Sequence, residues 1–272
     1  MVDSNETLEK INPGNVAILG IPYDENSSFL KGPALAPPKI REALYCESSN
    51  LSTERKINIE IGNRIHDLGD IDVHSFIDDI ELPVSNILEK DAFIISLGGD
   101  HSITYPIIKA YGAKYQNLNI LQLDAHPDLY HQFEENPNSN ASPFARIMEN
   151  KLANRLVQVG IRTMNPHQHQ QATRFNVETI DMKSWDTSAI PVFEGPLYIS
   201  LDIDVLDPAF APGVSHHEPG GLSTREVLRI IQTLPANIVG ADIVELNPQR
   251  DPQGITAMAA AKLLKEILDK MM

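Results

Sequence analysis

The chain has 272 residues, of which 42% are hydrophobic and 22% charged, with a formal net charge of −15. Such a length buries a sizeable core as one large domain or two small ones. The acidic balance excludes the basic footprint that a nucleic-acid or anionic-membrane surface needs. One cysteine, Cys46, excludes an internal disulfide and fits a reducing compartment.

Met1 to Gly14 is polar and acidic and is expected to be a flexible tail (residues 1–14), with no apolar leader core. A single domain, 15–272, follows, and the expected location is cytoplasmic. From there, apolar runs of strand length alternate with amphipathic ones of helix length. Strands are predicted at Asn15–Gly20, Arg64–Leu68, Ala92–Leu97, Leu118–Leu123, Leu156–Ile161, Val177–Ile180, Pro196–Leu201 and Asn237–Ile243. Several are apolar nearly throughout, as central strands covered on both faces are. Helices are predicted from Pro37 to Leu44, from Thr104 to Ala113 despite Pro106, from the Ser223/Glu226 capping box to Leu234, and over Thr256–Lys270. Strand and helix in alternation imply a mainly parallel sheet with helices on both faces.

Three strands run into residues of ligand type. The strand ending at Leu97 enters Gly98-Gly99-Asp100-His101-Ser102, and the one ending at Leu123 enters Asp124-Ala125-His126-Pro127-Asp128. The strand through Leu201 enters Asp202-Ile203-Asp204. In extended backbone alternate side chains share a face, so Asp124, His126 and Asp128 can all point into one pocket. Taken alone, that stretch also reads as a polar turn with a helix N-cap. Three such strand ends in one parallel sheet place their loops on the same edge, where open α/β sheets bind ligands. The convergent set is His101, Asp124, His126, Asp128, Asp202 and Asp204. Its four carboxylates cannot share a pocket without counter-charge, and two divalent cations supply +4 against their −4. Carboxylates with imidazoles and no thiolate suit a harder ion such as Mn²⁺, with zinc still open. The set therefore points to a binuclear metallohydrolase. A structural calcium site is the rival, disfavoured by the two imidazoles.

The three stretches, the last extended as Ser200-Leu201-Asp202-Ile203-Asp204-Val205-Leu206-Asp207-Pro208, resemble the signature motifs of the ureohydrolase family: arginase, agmatinase, guanidinobutyrase and formimidoylglutamase. Flanking similarity covers about Val16 to Lys270 and is nearest to the plant arginase-like and agmatinase branch. The resemblance implies a three-layer α/β/α fold around a mainly parallel eight-stranded sheet, a homotrimer or homohexamer, and two Mn²⁺ per subunit. It implies that His101, Asp124, Asp128 and Asp202 hold one ion and that Asp124, His126, Asp202 and Asp204 hold the other. The implied reaction hydrolyses a linear C–N bond of a small cationic guanidino substrate, releasing urea and an amine. Glu245 matches the guanidinium-binding carboxylate, and Asp128, Glu245 and position 140 are the catalytic candidates.

The chain departs from that pattern at Asn140, which stands where the family carries a proton-shuttling histidine. An amide does not titrate, whereas histidine does near pH 6.5. The departure implies another substrate, such as guanidinobutyrate or formimidoylglutamate, a shuttle elsewhere (His131, His216 or His217), or a catalytically weak metal-binding homologue. His217 is the candidate for substrate contact, with His216 beside it. Asp100 is expected to orient His101 or its loop, Asp207 to serve a turn, and Cys46 to be a small hydrophobe. His66, His74, His167 and His169 read as solvated or hydrogen-bonded.

Overall fold

In the computed structural model, which describes residues 8–186 and 190–272, eight strands form one sheet in the order β2-β1-β3-β8-β7-β4-β5-β6. The strands are β1 (Val16–Gly20), β2 (Ile65–Asp70), β3 (Phe93–Leu97), β4 (Asn119–Leu123), β5 (Arg155–Ile161), β6 (Glu178–Asp181), β7 (Pro196–Asp202) and β8 (Asn237–Val244). Every pairing is parallel. All eight expected strands are present, within about two residues at either end.

The period-two rule splits their side chains between two cores. Val16 and Ile18 face one side with Ile95, Leu121, Ile199 and Ala241. Ala17 and Leu19 face the other with Ile94, Ile120 and Tyr198. The first face is covered by α1 (Ala36–Leu44), α6 (Thr224–Thr233) and α7 (Ile255–Met271), through residues such as Ile40, Ile231 and Leu264. The second is covered by α2 (Asp78–Leu88), α3 (Thr104–Lys114), α4 (Pro143–Glu149) and α5 (Pro166–Arg174), through Val84, Ile107, Phe144 and Ala172. The result is the expected three-layer sandwich.

Three helices were not anticipated. Pro83 sits inside α2, where it removes an N–H and ordinarily argues against a helix. Helix α5 is a Gln- and His-rich segment with few apolar residues, yet a capping box between Asn165 and Gln168 starts it. Helix α4 opens on Pro143 at its first turn, where a missing N–H costs nothing. Pro106 is tolerated in α3 for the same reason. The expected tail (residues 1–14) needs correction in part. Residues 1–7 lie outside the described residues, but Ile11 is 4% exposed and packs in the second core. Gly14 N–H donates to Asp91 O at 2.9 Å. Among the described residues, no helix is long and apolar enough to cross a membrane.

Candidate metal centre

Strands β3, β8, β7 and β4 are consecutive in the middle of the sheet. With neighbours about 4.8 Å apart, the loops leaving their carboxyl ends must meet. His101 lies on a one-turn helix (His101–Ile103) after β3, and Asp204 on another (Ile203–Val205) after β7. Asp124 follows β4 and Glu245 follows β8. Gly99 permits the first loop, because a Cβ there would lie 1.7 Å from the Tyr23 carbonyl oxygen. Asp128 and Glu245 adopt φ of 48° and 65°, a conformation that costs a non-glycine residue on the order of 1–3 kcal/mol. For Glu245 it is held by a backbone hydrogen bond to Gly99 O at 2.9 Å.

All six residues of the expected ligand set converge. His101 Nδ1 lies 3.0 Å from Asp128 Oδ2, 3.1 Å from Asp124 Oδ2 and 3.3 Å from Asp202 Oδ2. His126 Nδ1 lies 3.0 Å from Asp204 Oδ2 and 3.6 Å from Asp124 Oδ1. Two groups have the spacing that holds a cation: His101, Asp124 and Asp128, and Asp124, His126 and Asp204. The carboxylates are oriented from behind. Asp124 Oδ2 accepts from Gln122 Nε2 at 2.7 Å and its Oδ1 from His126 N at 2.6 Å. Asp202 Oδ1 accepts from Asp204 N at 2.8 Å, and Asp204 Oδ1 from Ala125 N at 3.1 Å.

The donor chemistry fits a cation. His101 Nε2 donates to Ser200 Oγ at 2.9 Å, and that hydroxyl donates to Asp242 Oδ1 at 2.8 Å. In the neutral imidazole this fixes the tautomer and leaves Nδ1 as a lone pair, and that nitrogen is fully buried and has no hydrogen-bond partner. It faces three carboxylate oxygens. A lone pair so placed is repelled unless positive charge sits between, and one proton would satisfy only one oxygen.

The titration behaviour has the same cause. Burial raises Asp202, helped by Asp204 and Asp124, and lifts Asp128 to about 6, helped by Asp124. Asp124 is buried as well, yet His101 and His126 hold it below the usual carboxylate range. Burial opposes charging His101, but its three carboxylate neighbours outweigh burial and push it well above the ordinary value. The buried cluster thus carries more negative charge than its surroundings offset, an excess that a bound cation would neutralise.

A cleft of about 240 Å³ opens onto these residues, lined also by Ser28, Tyr130, Phe133, Asn140, His216 and Glu245. Glu245 Oε1 accepts from His101 N at 2.8 Å and from Asn140 Nδ2 at 3.0 Å. Burial raises its pKa. Asn140 Oδ1 accepts from Ser28 N at 2.9 Å, so this amide clasps the 26–29 loop to Glu245. His216 borders the cleft, its ring 5.8 Å from that of His126. His217 does not; its Nε2 meets Pro212 O at 2.7 Å and its Nδ1 meets Arg250 Nη2 at 3.3 Å. Its expected substrate contact is corrected accordingly. The two side chains leave adjacent backbone positions in different directions, and sequence alone does not choose between them. His131 is also outside the cleft, beside Glu149 at 3.4 Å.

Asp100 makes no hydrogen bond to the His101 ring, whose Nε2 meets Ser200 Oγ. It caps the turn that carries His101 by accepting from Ser102 N at 3.0 Å, and burial with nearby Glu245 lifts its pKa to about 8. Asp207 serves its turn, accepting from Gly220 N at 2.7 Å and Ala209 N at 2.9 Å. Gln122, Gln158, Ser200 and Asp242 were missed, although all four are fully buried. The signal was available: Gln122 and Ser200 are polar residues inside largely apolar strands, two positions before Asp124 and Asp202 and therefore on the same face.

Fold and site together define an α/β metal-site hydrolase. The arginase family model matches residues 14–269, and the chain belongs to that family, whose members act on guanidino C–N bonds. Arginase 1, mitochondrial, of Arabidopsis thaliana is 47% identical over 94% of this chain and 81% of its own. An agmatinase of Bacillus cereus is 34% identical over 93% and 90%. The solved arginase from Medicago truncatula superposes with a TM-score of 0.90 at 42% identity, covering 99% of this chain and 91% of that one. The Arabidopsis relative is named mitochondrial, which overturns the cytoplasmic expectation. An acidic chain with one cysteine suits the reducing interior of an organelle as well as the cytoplasm.

Proposed function

We propose that this chain is a two-manganese hydrolase that cleaves the guanidinium of arginine to urea and an amine. The observation that carries the reading is the bare His101 Nδ1 lone pair facing three carboxylates. His101, Asp124, Asp128 and Asp202 would hold one ion, and Asp124, His126, Asp202 and Asp204 the other, Asp124 and Asp202 serving both. When bound, such a cation pair supplies the charge that lets water act as a nucleophile at neutral pH.

The remaining work falls to the chain. With Glu245 Oε1 already accepting from His101 N and Asn140 Nδ2, Oε2 is left to take a guanidinium N–H and orient the target carbon. Asp128 turns Oδ2 toward His101, leaving Oδ1 to accept the proton of the attacking water. The cleft is lined by Asp128, Asp202, Asp204 and Glu245 among others, and the Glu245 carboxylate favours a cationic head group. Arginine is preferred over agmatine because the 47% identical relative is named an arginase. Assembly as a homotrimer or homohexamer belongs to the same reading and is checked by light scattering.

A second reading is a catalytically weak homologue. It is favoured by Asn140, which spans Ser28 and Glu245 and brings no titrating group to the leaving amine. Urea release from the Mn²⁺-loaded protein with arginine, agmatine, guanidinobutyrate and guanidine separates the two, with formamide release from formimidoylglutamate measured alongside. Urea and ornithine from arginine are expected. No turnover on any of them, with two ions bound per chain, would overturn the first reading in favour of the second.

A further inference from the structure

The two cation clusters share Asp124 but are braced differently. The first rests on His101, anchored through Ser200 to Asp242. The second, Asp124, His126 and Asp204, draws on two separate loops, after β4 and after β7. Arg162, directly after β5, joins those loops. Its backbone N–H donates to Ala125 O at 3.0 Å, between Asp124 and His126. Its side chain reaches the other loop: Nη2 donates to Asp204 O at 2.6 Å and to Leu206 O at 3.4 Å, and Nη1 to Val205 O at 3.2 Å. Nη1 also donates to Gly160 O at 3.2 Å, and Nε to Glu218 O at 2.7 Å. All of these partners are backbone carbonyls, so the guanidinium acts as a fixed fork rather than as half of an ion pair.

The surroundings are shaped to this fork. Gly221 passes so close that a Cβ would stand 2.8 Å from Nη2 and 2.6 Å from Asp207 N. Leu222 N donates to Val205 O at 3.0 Å, fastening the covering loop to the turn that carries Asp204. Ala125 N donates to Asp204 Oδ1 at 3.1 Å, which closes a ring through Arg162, residue 125 and residue 204.

We propose that Arg162 is a positioning residue for the second cation, setting the separation of the Asp124/His126 loop from Asp204 while leaving the His101 side to its own anchor. A single ammonium cannot reproduce a planar fork that reaches five carbonyls, so Arg162→Lys loosens the second cluster selectively. The inference rests on the two-ion reading above.

Mn²⁺ titration by calorimetry, with electron paramagnetic resonance of the titrated samples, tests it on the full chain. Wild type should take two ions and give a spin-coupled signal. Arg162→Lys, folded by circular dichroism, should bind the first ion within threefold of wild type and the second at least tenfold more weakly. Its spectrum at one equivalent should be the six-line pattern of isolated Mn²⁺, and Arg162→Gln should lose more than Arg162→Lys. Gly221→Ala, which crowds Nη2 without removing the charge, should show the same selective loss and stands in if Arg162→Lys does not fold. Equal weakening of both ions, or no weakening, in a folded variant overturns the role of Arg162. Fewer than two ions on wild type overturns the two-ion reading and this inference with it.

Discussion

Replacing Ser200 by alanine removes one oxygen from a fully buried position and separates the support of the metal centre from its ligands. Ser200 Oγ accepts from His101 Nε2 at 2.9 Å and donates to Asp242 Oδ1 at 2.8 Å. Asp242 keeps two other donors, Thr104 Oγ1 and Tyr198 OH, each at 2.9 Å, so the fold should survive. The imidazole loses the acceptor that fixes its tautomer, and a buried N–H without a partner costs about 1–3 kcal/mol. Loss of such an outer partner typically weakens metal binding by roughly 10- to 100-fold, equivalent to about 1.4–2.7 kcal/mol. Calorimetric competition against a chelator should find that loss in Ser200→Ala, concentrated on the ion held by His101. Unchanged affinity in a folded variant would refute the reasoning that this hydrogen-bond chain prepares Nδ1 as a ligand.

Asn140→His restores a titrating group beside Glu245 and should raise turnover on arginine by at least about tenfold, the lower part of the range for a general acid; an unchanged or lower rate in a urea assay would mean that the proton travels by another residue. Asp124→Asn removes a charge shared by both clusters and should reduce occupancy at both positions by metal analysis, and full retention of two ions would contradict the sharing. Away from the site, hydrogen bonds from Arg225 and Gln232 hold Glu54 down at about 2, below the ordinary 4.5. Because its folded value is the lower one, the stability it contributes is present above pH 4.5 and is lost as pH falls through 2. Glu54→Gln should therefore flatten the dependence of the unfolding midpoint on pH in that interval; a slope identical to wild type would refute this.

The sheet was legible because its strands are buried on both faces, so each reads as an unbroken apolar run. The ligand set was legible because three of those runs end in carboxylates or imidazoles, and charge counting admits few ways to gather them. What escaped reading is what depends on direction rather than composition. Helix α2 carries Pro83 and helix α5 is nearly all polar, so packing and capping override propensity in both. The choice of His216 over His217 at the cleft rests on the turn between Pro212 and Gly220. Only the folded chain brings the carbonyls of residues 160, 204–206 and 218 around the guanidinium of Arg162. Asn140 stood out as a missing histidine, and its structural work as a clasp between Ser28 and Glu245 became visible only in three dimensions.

Anomalous diffraction from crystals of the Mn²⁺-loaded protein tests the central claim most directly. Two peaks are predicted, roughly 3.5–4 Å apart, one bounded by His101 Nδ1 and Asp128 and the other by His126 Nδ1 and Asp204, with Asp124 and Asp202 between them. A single peak, or ions bound elsewhere while this cluster stays metal-free, would contradict it.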